Sequence, residues 1–199
     1  MAVTRVGPCS ETTRGGREAV RCIALLRGIN VSGRKTALMT DVKRAFESLS
    51  FENVRTYAQS GNVIFDCRRA EKAQIAACVE EKLRETFGFS THVLIRTQGD
   101  LEKIIENNPL VDISGLGPEK LYVTFLAARP DETVVSTLDI KLDPGEKFVI
   151  AGTEVYLYCP NGYARTALNN AMFETKLKTV ATTRNWKTIN KLLVISKIG

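Results

Sequence analysis

The chain has 199 residues and is 44% hydrophobic, enough for one large domain or two small ones with a proper core. Lys and Arg number 28 against 22 Asp and Glu, a formal charge of +6, so contact with anions is a fair expectation but a basic stripe over the whole surface is not implied. No apolar run approaches the roughly 18 residues a membrane span needs, and five scattered cysteines without CxxC spacing argue against a disulfide scaffold or a zinc site and fit a reducing cytoplasm.

Residues 1–18, "MAVTRVGPCSETTRGGRE", lack the apolar stretch of a secretory signal. Their Gly, Thr, Ser and Arg content predicts a disordered tail. The first folded unit is expected over 19–108. "AVRCIALLRGI" is a nearly continuous apolar run ending at Gly28, as a central strand requires. Val42, Ala45, Phe46 and Leu49 then recur at helical spacing. "NVRTYAQ" and "NVIFDC" flank Ser60-Gly61 and read as a hairpin with a two-residue loop. Ile75, Cys78, Val79, Leu83 and Phe87 mark a second amphipathic helix that Gly88 stops. "THVLIRT" alternates like a strand and holds the only histidine, His92, in a surface or structural setting. The order β-α-β-β-α-β is the ferredoxin-like split βαβ.

"QGDLEKIIENNP" reads as a connecting helix, and "DISGLGPEK" as the boundary loop. The pattern restarts over 118–199. "KLYVTFLA" is a strand, "DETVVSTLDI" a short helix, and "KFVIAG" with "EVYLYC" a hairpin. Helices near 163–177 and 184–195 finish the chain. The fold class expected is therefore α+β, two ferredoxin-like subdomains packed together with an additional C-terminal helix. The second half echoes the first in topology, with no echo visible in sequence.

Polar residues collect in a few places. A two-residue loop would set Gln59 opposite Asn62, on the sheet face turned away from the first core. The same pair could simply bond the turn. "LLRGINVSGRK" places Arg27, Asn30, Arg34 and Lys35 with Gly28 and Gly33 where a strand gives way to a loop, an arrangement that can offer backbone N–H groups to an anion. It matches neither GxxxxGK[ST] nor GxGxxG. Near the C-terminus, "NGYARTALNN" enters a helix with Arg165, Thr166, Asn169 and Asn170. "ATTRNWKTINKL" enters another, with Thr182 or Thr183 as N-cap and Arg184, Asn185 and Trp186 in its first turn. Trp186 also reads as a core anchor beside Ile189 and Leu193.

Together, "RCIALLRGINVSG", "VRTYAQSGNVIF" and "VATTRNWKTINKL" resemble domain-of-unknown-function family 1697 over roughly residues 20–196. The resemblance implies a cytoplasmic, mainly bacterial α+β protein with two ferredoxin-like subdomains and carries no established activity. By position it selects Arg27, Gly28, Asn30, Gln59, Ser60, Gly61, Asn62, Arg165, Leu168, Asn170, Thr182, Thr183, Arg184, Asn185 and Trp186. Ser32 and Ala167 depart from the pattern, in which a glycine and a lysine are usual.

These residues lead to a function by their chemistry. Arginine forks and backbone amides suit phosphate geometry. The expected site is a cleft where the RGIN loop, the QSGN turn and the TTRNW segment meet, built from Arg27, Gly28, Asn30, Gln59, Ser60, Asn62, Arg165, Asn170, Thr183, Arg184 and Asn185. Its ligand would carry a phosphate, as a nucleotide-like small molecule or a nucleic acid backbone. RNA recognition through stacked aromatics is disfavoured, because only Tyr57 lies on the open side of the central strands. Two alternatives stand beside it. One is an enzyme acting on a small anionic substrate there, with Asp41, Asp66, Glu174 or Tyr57 as proton carriers. The other makes the clusters purely structural, tying the subdomains together. No metal ligand set is readable.

Overall fold

The structure is a computed structural model describing residues 19–198 except 32, 34, 69, 70, 112 and 114. The tail expected over 1–18 and the departure at Ser32 lie outside the described residues. In the first half the strands are β1 (Val20–Leu26), β2 (Glu52–Tyr57), β3 (Asn62–Cys67) and β4 (Val93–Thr97). Its helices are α1 (Met39–Glu47), α2 (Lys72–Phe87) and α3 (Gln98–Glu106). In the second half β5 (Leu121–Leu126), α4 (Glu132–Ser136), β6 (Lys147–Ala151), β7 (Glu154–Tyr158), α5 (Asn170–Leu177), β8 (Ala181–Asn185) and α6 (Trp186–Ser196) follow.

Each half forms one four-stranded antiparallel sheet, in the orders β2-β3-β1-β4 and β6-β7-β5-β8. Both are the ferredoxin-like order, and the chain is α+β with two packed subdomains. The apolar run of β1 does not alternate because both of its faces are buried. Cys22, Ala24 and Leu26 join Val63 and Phe65 against α1 and α2, where Phe46, Phe51 and Phe65 form an aromatic cluster. Ile23, Leu25, Ile64 and Leu94 face the other way, onto Leu121, Val123, Phe125 and Tyr156 of the second sheet. Leu101 and Ile104 of α3, with Ile189 and Leu192 of α6, close the flanks of this shared core. The far face of the second sheet packs Leu126, Val155 and Leu157 on Phe173 and Leu177 of α5. The protein is thus helices, sheet, sheet, helices, with its middle core belonging to both halves.

Three local expectations are corrected. Tyr57 pairs with Asn62, so the first hairpin loop holds four residues, 58–61, and Gln59 does not face Asn62. Ala58 and Gly61 supply the positive φ angles that the longer loop needs. Only a 3-10 turn occupies Tyr163–Arg165, and the helix beyond it begins at Asn170, where the Asn169 side chain accepts from the Met172 N–H. The segment 181–185 is a strand rather than a helix start. Its β-branched Thr182 and Thr183 suit an edge strand, and Asn185, not Thr182 or Thr183, caps α6 by accepting from the Thr188 N–H.

The two halves also echo each other residue by residue. Ile23 pairs with Arg96 as Val123 pairs with Arg184, and Leu26 pairs with Val93 as Leu126 pairs with Ala181. Leu25 pairs with Asn62 as Phe125 pairs with Glu154. Aligned on these ladders, Arg96 matches Arg184, and counting on into the following helices sets Lys103 with Lys191 and Ile104 with Leu192, a local likeness at the end of each half. It escapes a linear reading because the offset between equivalent residues changes from strand to strand.

Candidate anion-binding site

Arg184 lies on β8 with the parity that faces the shared core, and it is 7% exposed. Its side chain crosses from the second half into the first. Nε donates to the Asn62 Oδ1 at 2.6 Å, and Nη2 to the carbonyls of Leu26 at 3.0 Å and Ser60 at 3.1 Å. Nη1 donates to Thr182 Oγ1 and the Thr183 carbonyl. Every N–H of the fork therefore has a protein acceptor. All of those acceptors are neutral. Burial pulls the guanidinium down to about 10, still charged at neutral pH.

Asn62 is fully buried and holds the other side of the junction. Its amide donates to the Tyr57 carbonyl and to Ser60 Oγ, closing the hairpin, while its oxygen receives Arg184. Asn30, in the left-handed region at φ 55°, ties the RGIN loop to the same turn. It donates to the carbonyls of Gln59 and Ala37 and accepts from the Ala37 N–H. The RGIN loop, the QSGN turn and β8 are therefore joined through direct hydrogen bonds.

Beside this junction runs a chain of hydroxyls. Tyr163 Oη bonds Thr183 Oγ1 at 2.9 Å, which donates to Asn170 Oδ1 at 2.7 Å and also meets Thr124 Oγ1. Burial raises the Tyr163 phenol, partly opposed by its bond to Thr183. Arg27 points to the same edge and clasps Glu174 of α5 with two bonds, at 2.9 and 3.0 Å. Burial alone would raise the Glu174 carboxyl, but Arg27 and the Ala181 N–H hold it below its ordinary value.

Several expected members stand apart. Gln59 is exposed, and its side chain makes no hydrogen bond among the described residues, its carbonyl alone being used. Arg165 is exposed and has no ion pair among the described residues. Asn185 caps α6 at the surface. Gly28 has φ +69° and contributes backbone only. Trp186 is half-buried against the shared core. As for candidate acids, burial of Asp66 is outweighed by Arg21 and Asn53, which keep it ionised, and Asp41 pairs with Arg44.

Sequence reasoning missed Arg96, the partner of Arg184 in the echo. It is 8% exposed and crosses from the first half into the second, donating to the carbonyls of Leu126 at 2.9 Å and Thr153 at 3.3 Å. Its Nε meets Glu154 Oε1 at 3.0 Å, so here the acceptor in the place of Asn62 is a carboxylate. The available signal was a strand ending in an arginine followed by a cap residue, "LIRT" and "TTRN". On this side a cleft of about 390 Å³ opens, lined by Lys72, Lys103, Asn107, Thr153, Glu154 and others. Among the described residues there is no cluster of potential metal ligands, and no helix is long and apolar enough to cross a membrane.

A family profile described as "Protein of unknown function (DUF1697)" matches residues 20–156. The match ends before β8. Among solved structures, the conserved bacterial protein SP0830 from Streptococcus pneumoniae is similar in fold, with 24% identity and a TM-score of 0.70 over 90% of this chain and 100% of that one. No curated protein matches.

Proposed function

We propose that this chain, which belongs to the DUF1697 family of unknown function, binds a phosphate-bearing ligand at the edge formed by the RGIN loop, the QSGN turn and β8. One observation carries the reading: Arg184 is a buried cation with no carboxylate partner, whereas its equivalent, Arg96, has Glu154. Buried charges are ordinarily paired, and an unpaired one leaves a positive field at the nearest surface. The fork itself is saturated, so the ligand is not gripped by Arg184. It lies above it, within reach of the half-exposed Arg27, the Ser60 hydroxyl and the Asn170 amide, groups already tied to the junction. The ligand is a nucleotide-like small molecule or the backbone of a nucleic acid. Cys22 and Cys159 are buried free thiols, which supports a reducing, cytoplasmic setting.

The test is Asn62→Asp, which supplies Arg184 with the counter-charge that Glu154 gives Arg96. Pyrophosphate and a short single-stranded oligonucleotide are titrated by calorimetry at several salt concentrations. Affinity that falls with salt, and that drops at least tenfold in the variant, supports the reading. Which of the two probes binds decides between small molecule and backbone. Equal affinity in a folded Asn62→Asp protein, or no binding by the native chain, overturns it.

A second reading has its own observation. Because every Arg184 N–H ends on a protein acceptor, the cluster also works as a clamp between the halves. In that case Arg184 variants lose stability and no anion responds to Asn62→Asp. Catalysis lacks a comparable support, since the carboxylate at the edge, Glu174, is held as an ion by Arg27, and Asp66 lies at the opposite end of the β1–β3 ladder, against Arg21.

A further inference from the structure

We infer that the cleft on the Arg96 side is a second binding site, for a small zwitterion carrying a primary ammonium and a carboxylate or phosphate. It goes beyond the reading above and involves none of the same side chains. The walls of this cleft come from different halves and carry opposite charge. On the first-half wall, α3 brings Lys103, exposed and without an ion pair among the described residues, and its C-cap Asn107, whose amide donates to the Lys103 carbonyl. Lys72 joins them but is already tied to Asp100 at 2.6 Å. On the second-half wall stands Glu154. Its Oε1 receives Arg96 and Thr153 Oγ1, and Oε2 has no partner among the described residues.

Arg96 sits between the walls. Nε and Nη2 are fully committed to Glu154, Leu126 and Thr153, while Nη1 has one acceptor, the Ile95 carbonyl, for two N–H groups. Its equivalent on the other side of the molecule, Arg184, has no such spare donor. The groups left for a ligand are therefore the Lys103 ammonium, with the Arg96 charge behind it, for an anionic head, and Oε2 of Glu154 for a cationic head. Ile104, Ala127, Ala151 and the Tyr156 ring supply apolar surface between them. Tyr156 itself adds no charge, since its hydroxyl donates to the Ile104 carbonyl and burial pushes the phenol up to about 12. The volume of about 390 Å³ is at the lower end of small-molecule sites and suits a compact ligand.

Charge complementarity excludes the simpler occupants. A pure anion would meet Glu154, and a pure cation would meet Lys103 and Arg96. The experiment follows amide shifts of Lys103, Asn107, Thr153 and Glu154 in 1H–15N spectra of the full chain. Free α-amino acids and aminoalkyl phosphates are added one at a time. The matching amine-free acids and acid-free amines serve as controls. The expected result is a saturable shift with at least one zwitterion, and a tenfold or greater weakening in both Lys103→Ala and Glu154→Gln. Should Glu154→Gln fail to fold, the exposed Lys103→Ala decides alone. The inference is overturned if no zwitterion shifts these amides, if an amine-free acid binds as tightly, or if affinity survives the loss of Lys103.

Discussion

Arg96 and Arg184 occupy the same ladder position in the two sheets, and each sends its guanidinium to the carbonyl ending the other half's first strand, Leu126 for Arg96 and Leu26 for Arg184. The halves are therefore cross-bolted at both ends. Arg184→Met removes the donors of the Leu26 and Ser60 carbonyls and of Asn62 Oδ1. Buried groups left without a partner cost about 1–3 kcal/mol each, offset in part because the charge no longer has to be desolvated. The expected loss is about 2–4 kcal/mol in urea unfolding. A loss below about 1 kcal/mol would mean the junction contributes little to folding.

Gly61 and Gly28 offer a paired test of the hairpin. Both have positive φ, +73° and +69°. A Cβ on Gly28 meets nothing within 4 Å, so Gly28→Ala should cost only the left-handed backbone penalty of about 1–2 kcal/mol. A Cβ on Gly61 would stand 2.4 Å from Ile29 Cγ2 and 2.8 Å from Leu26 Cβ, so Gly61→Ala adds an overpacking cost of about 1–3 kcal/mol. Thermal unfolding should show the Gly61 variant as clearly the weaker. Equal melting temperatures would contradict the close approach.

Acid should loosen the protein through its paired carboxylates. Burial pushes Glu174, Asp66 and Asp100 upward, but their partners Arg27, Arg21 and Lys72 prevail and hold all three below their ordinary values of 4.5, 3.8 and 3.8. A carboxylate with a depressed folded pKa stabilises above its unfolded pKa and loses that contribution as pH falls through the folded one. Stability against urea should accordingly be nearly flat from pH 7 to about 5, as far as these groups govern it, and fall below about 4.5. In Glu174→Gln the fall should be shallower. An unchanged profile would remove Glu174 from the acid response.

The shared core predicts one unfolding transition for the whole chain. Phe125 is fully buried in it, among side chains of both sheets. Phe125→Ala should destabilise by about 3–5 kcal/mol. Trp186 fluorescence, which reports on the shared core, and far-UV circular dichroism, which reports on the secondary structure of both halves, should still give coincident curves. Separated midpoints would show that the halves unfold independently.

How much of this was legible beforehand depended on which physical signal each segment carried. Period and turn residues placed β1, β3, α2 and the first half's topology, because apolar faces must be buried and Gly88 stops its helix in the left-handed region. They failed at 181–185. There "ATTRN" holds polar residues at positions facing another sheet, and a threonine before a helical pattern looks like a cap. The hairpin loop misread by two residues has the same origin, since nothing local distinguishes Ala58 at φ 57° from an ordinary strand residue. The site was half legible. The convergence of RGIN, QSGN and TTRN is real contact, but the inward course of Arg184 depends on a strand whose existence was not read. Arg96 and Glu154 went unread because their significance rests on tertiary equivalence, of which the repeated arginine-and-cap pattern of "LIRT" and "TTRN" is the one linear trace.

The unequal partners of the two arginines also bear on ancestry. Had the molecule been assembled from two identical chains, symmetry would force the same residue opposite both arginines. Asn62 and Glu154 could then never differ. Covalent linkage of the repeats lifts that constraint. One end can hold its cation neutralised while the other keeps its charge uncancelled, so a single polypeptide can present two chemically distinct mouths on one inherited plan.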